Sequence, residues 1–138
     1  MRPALLVAAL LLTVAPAAQA APEPDPVLTK GLQAYVTNGL SVCLGIWYAG
    51  QPKLAAAMEA KLTPATKDLG AVLDTEVVAT QSISRRVTRY YVAVYFDRGP
   101  VWIQIERYTG RDRSFYLPLK FSPDADTILP GYLTDFVQ

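Results

Sequence analysis

The stretch RVTRYYVAVYFDRGPVWIQIERYT, residues 86–109, decides the fold. Val, Tyr, Ile and Trp dominate both halves, and aliphatic positions alternate with polar or aromatic ones at a period of two. That is the pattern of half-buried β-strands rather than of a helix. Arg98-Gly99 interrupts the alternation and predicts a tight turn between one strand over 86–97 and another over 100–109. A two-residue loop there sets the pairing: Phe96 opposite Val101, Val94 opposite Ile103, Val92 opposite Ile105 and Tyr90 opposite Arg107. The alternate pairs are Tyr95 with Trp102, Ala93 with Gln104, Tyr91 with Glu106 and Arg89 with Tyr108. The first set is aliphatic and is expected to face a core. The second, aromatic and polar, faces the other way.

Downstream, residues 110–113 predict another turn and residues 114–122 a fourth strand, with Phe115, Leu117, Leu119 and Phe121 on the core side. Pro118 has no N–H to donate, which assigns that strand to a sheet edge. Upstream, residues 72–83 predict the first strand. Before residue 71 the period changes. Leu28, Leu32, Tyr35, Val36, Leu40, Cys43, Ile46 and Trp47 recur every three or four residues and predict one helix over 27–49. From Leu40 onward it is apolar nearly all round, as in a helix buried on several sides. Gly31, Gly39 and Gly45 each weaken it by about 1 kcal/mol relative to Ala, which points to close packing. A second helix is expected over 52–62. A short third over 64–69 has Thr63 as cap and Pro64 in its first turn. Helices followed by strands make an α+β chain, with the N-terminal helices packed on one face of a curved four-stranded antiparallel meander sheet.

The beginning of the chain reads as an export signal. Arg2 supplies a positive charge, Ala4 to Ala15 is apolar apart from Thr13, and Ala18-Gln19-Ala20 is a small-x-small cleavage pattern. A membrane-spanning helix needs about 20 apolar residues; this run is shorter, and Pro16 breaks it. Residues 1–20 are therefore expected to be a signal peptide, 21–27 a flexible linker and 28–138 a single domain. The mature protein is expected in the periplasm or outside the cell, with no membrane attachment. Loss of Arg2 leaves 12 of the 13 Lys and Arg against 12 Asp and Glu. Such a balance, without a basic cluster, gives no support to nucleic-acid or anionic-membrane binding. Cys43 is the sole cysteine, so no internal disulfide forms.

The helix-helix-sheet order, Leu62-Thr63-Pro64 before the strands, the Arg98-Gly99-Pro100 turn and the ending Phe121-x-Pro123-x-Ala125-x-x-Ile128-Leu129-Pro130 resemble small secreted bacterial domains of the cystatin-like and nuclear-transport-factor-two-like group. The resemblance covers about residues 28–130 and is one of layout, without a diagnostic motif. It implies a helix cradled by a curved sheet. That fold hosts enzymes, binding modules and oligomerisation domains, so it does not decide function.

The chain has no histidine. Ser-His-Asp and Cys-His nucleophile systems and most zinc sites are thereby excluded, and the chain departs from group members that use an Asp-His pair. Cys43 has no Lys or Arg within five residues to lower its pKa and reads as a buried small hydrophobe. Asp124-Ala125-Asp126 lacks the Gly and distal Glu of a calcium loop and reads as a helix cap. Asp68, Asp74 and Glu76 read as a solvated edge, with Asp74 and Glu76 as the alternative carboxylate pair. No catalytic residue, metal ligand or cofactor is assigned.

Two surfaces remain. Arg107 falls on the core-facing side, where a charge is seldom buried unpaired. It sits either at the rim or in a small-molecule pocket walled by Tyr35, Trp47 and Tyr90. On the opposite face, Tyr91, Tyr95, Trp102, Tyr108 and Tyr116 make an aromatic patch, which is either covered by a third layer formed by the C-terminal tail or marks protein–protein contact. The function expected is that of a secreted, non-catalytic domain homodimerising through its sheet. The alternatives are a ligand binder and, behind it, an enzyme, each using a cavity between the first helix and the sheet.

Overall fold

Helix formation begins at Asp25, whose carboxylate Oδ1 accepts the Val27 N–H at 3.0 Å, with Pro26 in the first turn of α1 (Pro26–Asn38). This is a side-chain cap followed by a residue already set for helical φ. A computed structural model describes residues 25–135. The expected signal peptide, 1–20, and residues 21–24 of the expected linker lie outside the described residues. Asp25, Pro26 and Val27, also assigned to that linker, form the cap and first turn of α1.

The single helix expected over 27–49 is two helices. Gly39 takes φ +95°, which ends α1, and α2 (Leu40–Trp47) starts again from it. The apolar spacing runs through the break because both helices bury one face in the same core. Trp47 folds back on α1 and its Nε1–H donates to the Leu28 carbonyl at 3.1 Å. Gly31 permits this approach, since a Cβ at that position would fall on the Trp47 indole. Gly39 and Gly45 both face open space, so the close packing expected at those two positions is not present. Helix α3 (Pro52–Thr66) runs through Pro64, so the helices expected over 52–62 and 64–69 are one. Pro64 has no N–H to give the Ala60 carbonyl, and α3 ends two residues later.

Strands β1 (Val72–Ser82), β2 (Val87–Phe96) and β3 (Gly99–Thr109) form an antiparallel meander; β4 (Ser114–Tyr116) and β5 (Lys120–Ser122) both pair with the far side of β3. The β2–β3 register differs from expectation by two residues. Phe96 faces Gly99, Val94 faces Val101, Val92 faces Ile103, Tyr90 faces Ile105 and Arg89 faces Glu106. The turn is Asp97-Arg98, because Gly99, at φ +148°, opens the next strand. A shift of two preserves every side chain's face. Val92, Val94, Phe96, Val101, Ile103 and Ile105 are accordingly buried in one core with Leu28, Leu32, Tyr35, Leu44, Met58 and Leu62 from the helices. The architecture is α+β, with helices on one face of an open antiparallel sheet.

The fourth strand departs further. Between the pairs Arg107↔Tyr116 and Gln104↔Lys120 there are four steps on one strand and three on the other. The extra residue falls in the break around Pro118, and one added residue exchanges the faces of the two halves. Leu119 and Phe121 lie on the core side as expected. Phe115 pairs with Tyr108 on the far face, and Tyr116 with Arg107 on the core face, both opposite to expectation. Asp124 caps α4 (Ala125–Ile128) by accepting the Asp126 N–H at 3.0 Å. Helix α4 packs on β3 and β5, and α5 (Gly131–Thr134) follows it.

Candidate functional site

The four residues expected around a ligand do not converge on one cavity. Tyr35, Trp47 and Tyr90 are 4, 3 and 2 % exposed and belong to the core. Tyr35 stands edge-on to Phe96 with ring centroids 6.2 Å apart. Burial pushes the Tyr35 hydroxyl up to about 12. These rings fill the space between helices and sheet that a ligand would need.

Arg107 sits at the end of that core, and its Nη1 reaches Asp25 Oδ2 at 3.0 Å. The same oxygen accepts the Tyr116 hydroxyl at 2.7 Å, while Oδ1 holds the Val27 N–H. One carboxylate thus joins the start of α1 to β3 and β4. Burial first, then the bond to Asp25, raises the Tyr116 pKa well above the usual tyrosine value. Beside this cluster lies a cavity of about 240 Å³ whose walls include Asp25, Val27, Trp47, Arg107, Ser114 and Tyr116. Two of the four expected residues, Trp47 and Arg107, therefore share a recess, at the rim rather than inside the sheet's curve. A carboxylate offers about four acceptor sites, and Asp25 already accepts three bonds. Its charge offsets that of Arg107. Sequence reasoning missed Asp25. The signal was an Asp immediately before Pro at the onset of helical periodicity.

Tyr91, Tyr95, Trp102 and Tyr108 share the far face but do not form one cluster, since Tyr95 pairs with Pro100 at one end of the strands and Tyr108 with Val87 at the other. Tyr91 is 3 % exposed, and its hydroxyl donates to Gln81 Oε1 at 3.1 Å. The Tyr95 hydroxyl donates to Glu76 Oε2 at 2.7 Å, which raises its pKa. Arg89 and Glu106 pair directly across the strands at 3.4 Å. Tyr108 lies against Phe115, with ring centroids 5.4 Å apart. Much of the aromatic patch is thus served by its own chain. Asp74 and Glu76 are both exposed, and each is engaged separately, since Asp74 Oδ1 accepts the Thr75 N–H at 2.7 Å.

A larger recess of about 470 Å³ opens between α1 and the outer strand β1, with Leu32, Val36 and Val77 among its apolar walls. Cys43 is fully buried, and burial pushes its thiol up to about 12. Among the described residues no three His, Cys, Asp or Glu side chains gather as metal ligands would. No family model matches this chain, and no curated protein or solved structure matches it either.

Proposed function

We propose that this chain is an exported, non-catalytic domain that acts by protein–protein contact and associates with a second copy of itself through its sheet. The observation that carries the reading is the filled core. Tyr35, Trp47 and Tyr90 occupy the place where the fold would otherwise house a ligand or a reacting group. With that space taken by side chains, the reading looks to the surfaces of the sheet. The likeness to the cystatin-like and nuclear-transport-factor-two-like group belongs to the same proposal. It rests on the shared layout of helices on one face of an antiparallel sheet. Export rests on the Arg2, apolar-run and Ala-Gln-Ala pattern, and N-terminal sequencing of the exported protein should begin at Ala21.

A ligand-binding reading has two recesses in its favour, the 470 Å³ one beside β1 and the 240 Å³ cavity beside Arg107, whose buried Nε has no partner among the described residues. Against it stands the pairing of Arg107 with Asp25, which leaves no net charge to attract an anion. Sedimentation velocity of the purified chain over a wide concentration range separates the two. A dimer supports self-association; a monomer throughout would refute it and leave the ligand reading ahead.

A further inference from the structure

The two edges of the sheet are built differently. One edge is β4 and β5, each three residues long, separated by Pro118. Short strands and a proline are devices that blunt an edge against pairing. The other edge is β1, 11 residues long. It contains no Pro, Lys or Arg and carries the run Val77-Val78-Ala79-Thr80. Among the described residues nothing pairs with its outer side. Two bulges, between Val72 and Asp74 and between Val77 and Ala79, leave Ala79–Ser82 as a regular stretch running to the end of the strand.

We propose that the β1 edge pairs antiparallel with β1 of a second copy, continuing the sheet across a two-fold axis. The occupant is argued from charge. The edge is acidic at one end, where Asp74 and Glu76 are exposed, and basic at the other, where Arg85 is exposed in the β1–β2 turn. No described residue forms an ion pair with Arg85. A two-fold axis across a strand forces antiparallel pairing and brings residue i opposite a partner residue set by the centre. Centred at Ala79 or Thr80, the axis carries the Asp74 end of each copy past Ser82, the last strand residue of the other, to the turn over 83–86 that holds Arg85. Acid then meets base twice, and no like charges face each other. The recess beside β1 is lined by uncharged α1 residues, among them Leu32, Gln33 and Val36, and by Asp74, Thr75 and Val77 of β1, so Asp74 is its one charged wall. With the axis normal to the sheet, both α1 helices lie on the same side.

This inference rests on the self-association reading and specifies its surface. The test uses the chain as purified, with Asp74→Arg and Arg85→Asp made separately at these exposed sites. Sedimentation should find the wild type dimeric, its dissociation constant rising with salt. Each single reversal sets like charges together twice and should weaken the dimer by about tenfold or more. An equimolar mixture of the two variants restores both contacts as opposite charges, so a heterodimer near wild-type affinity is expected. Amide exchange is the second measurement. Protection at Ala79–Gln81 in the wild type should rise with protein concentration. A dimer indifferent to both reversals but lost in Trp102→Ala would overturn the edge assignment while keeping the self-association reading. A mixture that does not associate, or protection at Ala79–Gln81 independent of concentration, would also overturn the edge. A wild type that is monomeric throughout would overturn both.

Discussion

Asp25→Ala tests the joint at which the start of the domain is fastened to the sheet. The substitution removes three bonds at once. Loss of an N-cap carboxylate costs about 0.5–2 kcal/mol. The Tyr116 hydroxyl, in a side chain 3 % exposed, loses its acceptor, and a buried hydroxyl left unpaired costs about 1–3 kcal/mol. The Arg107 pair contributes less. The Arg107 side chain is 31 % exposed, and partly solvated pairs are worth about 0–1 kcal/mol. Because the three share one carboxylate they are not additive, and a total of about 2–4 kcal/mol is expected. With a urea slope of about 1–3 kcal/mol per molar for a domain of this size, the unfolding midpoint should fall by roughly 1–3 M. Asp25→Asn keeps one acceptor oxygen, enough for the Val27 N–H but not also for Tyr116 and Arg107, and sets its NH2 against the Arg107 donor, so it should lose about 1–3 kcal/mol. Tyr116→Phe in a double-mutant cycle with Asp25→Ala should give a coupling of about 1 kcal/mol. An Asp25→Ala midpoint within error of wild type would refute the reasoning, since it would mean that α1 is held without this carboxylate.

Gly31→Ala should destabilise the fold by about 1–3 kcal/mol through overpacking against the Trp47 indole, although Ala is the better helix former; a gain in thermal midpoint would contradict the α1–α2 contact. Ile103→Ala, at a side chain 1 % exposed, should cost about 2–5 kcal/mol, checked by the urea midpoint. Cys43 should resist thiol labelling in the native protein and react after unfolding. Its folded pKa, raised to about 12 from 9.0, favours the neutral thiol. The stability it contributes is fully present below about pH 9 and is lost as pH rises through about 12, a fall that Cys43→Ala should reduce.

The faces of β2 and β3 were legible in the chain because they depend only on parity. The two-residue error in register at Asp97-Arg98-Gly99 left Val94 and Ile103 inside and Tyr95 and Trp102 outside. The order of helices before strands, and so the α+β class, followed from the change of apolar period near residue 71. Burial of Cys43 followed from its apolar surroundings. Three features needed the tertiary structure. The apolar spacing from Leu28 to Trp47 is the same for one long helix and for two that share a core, and only the return of Trp47 onto Gly31 selects the break at Gly39. Pro118 marked an edge but did not state that a residue is inserted there, and that residue moves Tyr116 from the aromatic face to the core. Asp25 sits beside a proline in a linker-like run. Its role depends on Arg107 and Tyr116, 82 and 91 residues away. Local patterns report which way a side chain points; which distant groups meet it is decided when the sheet closes over the helices.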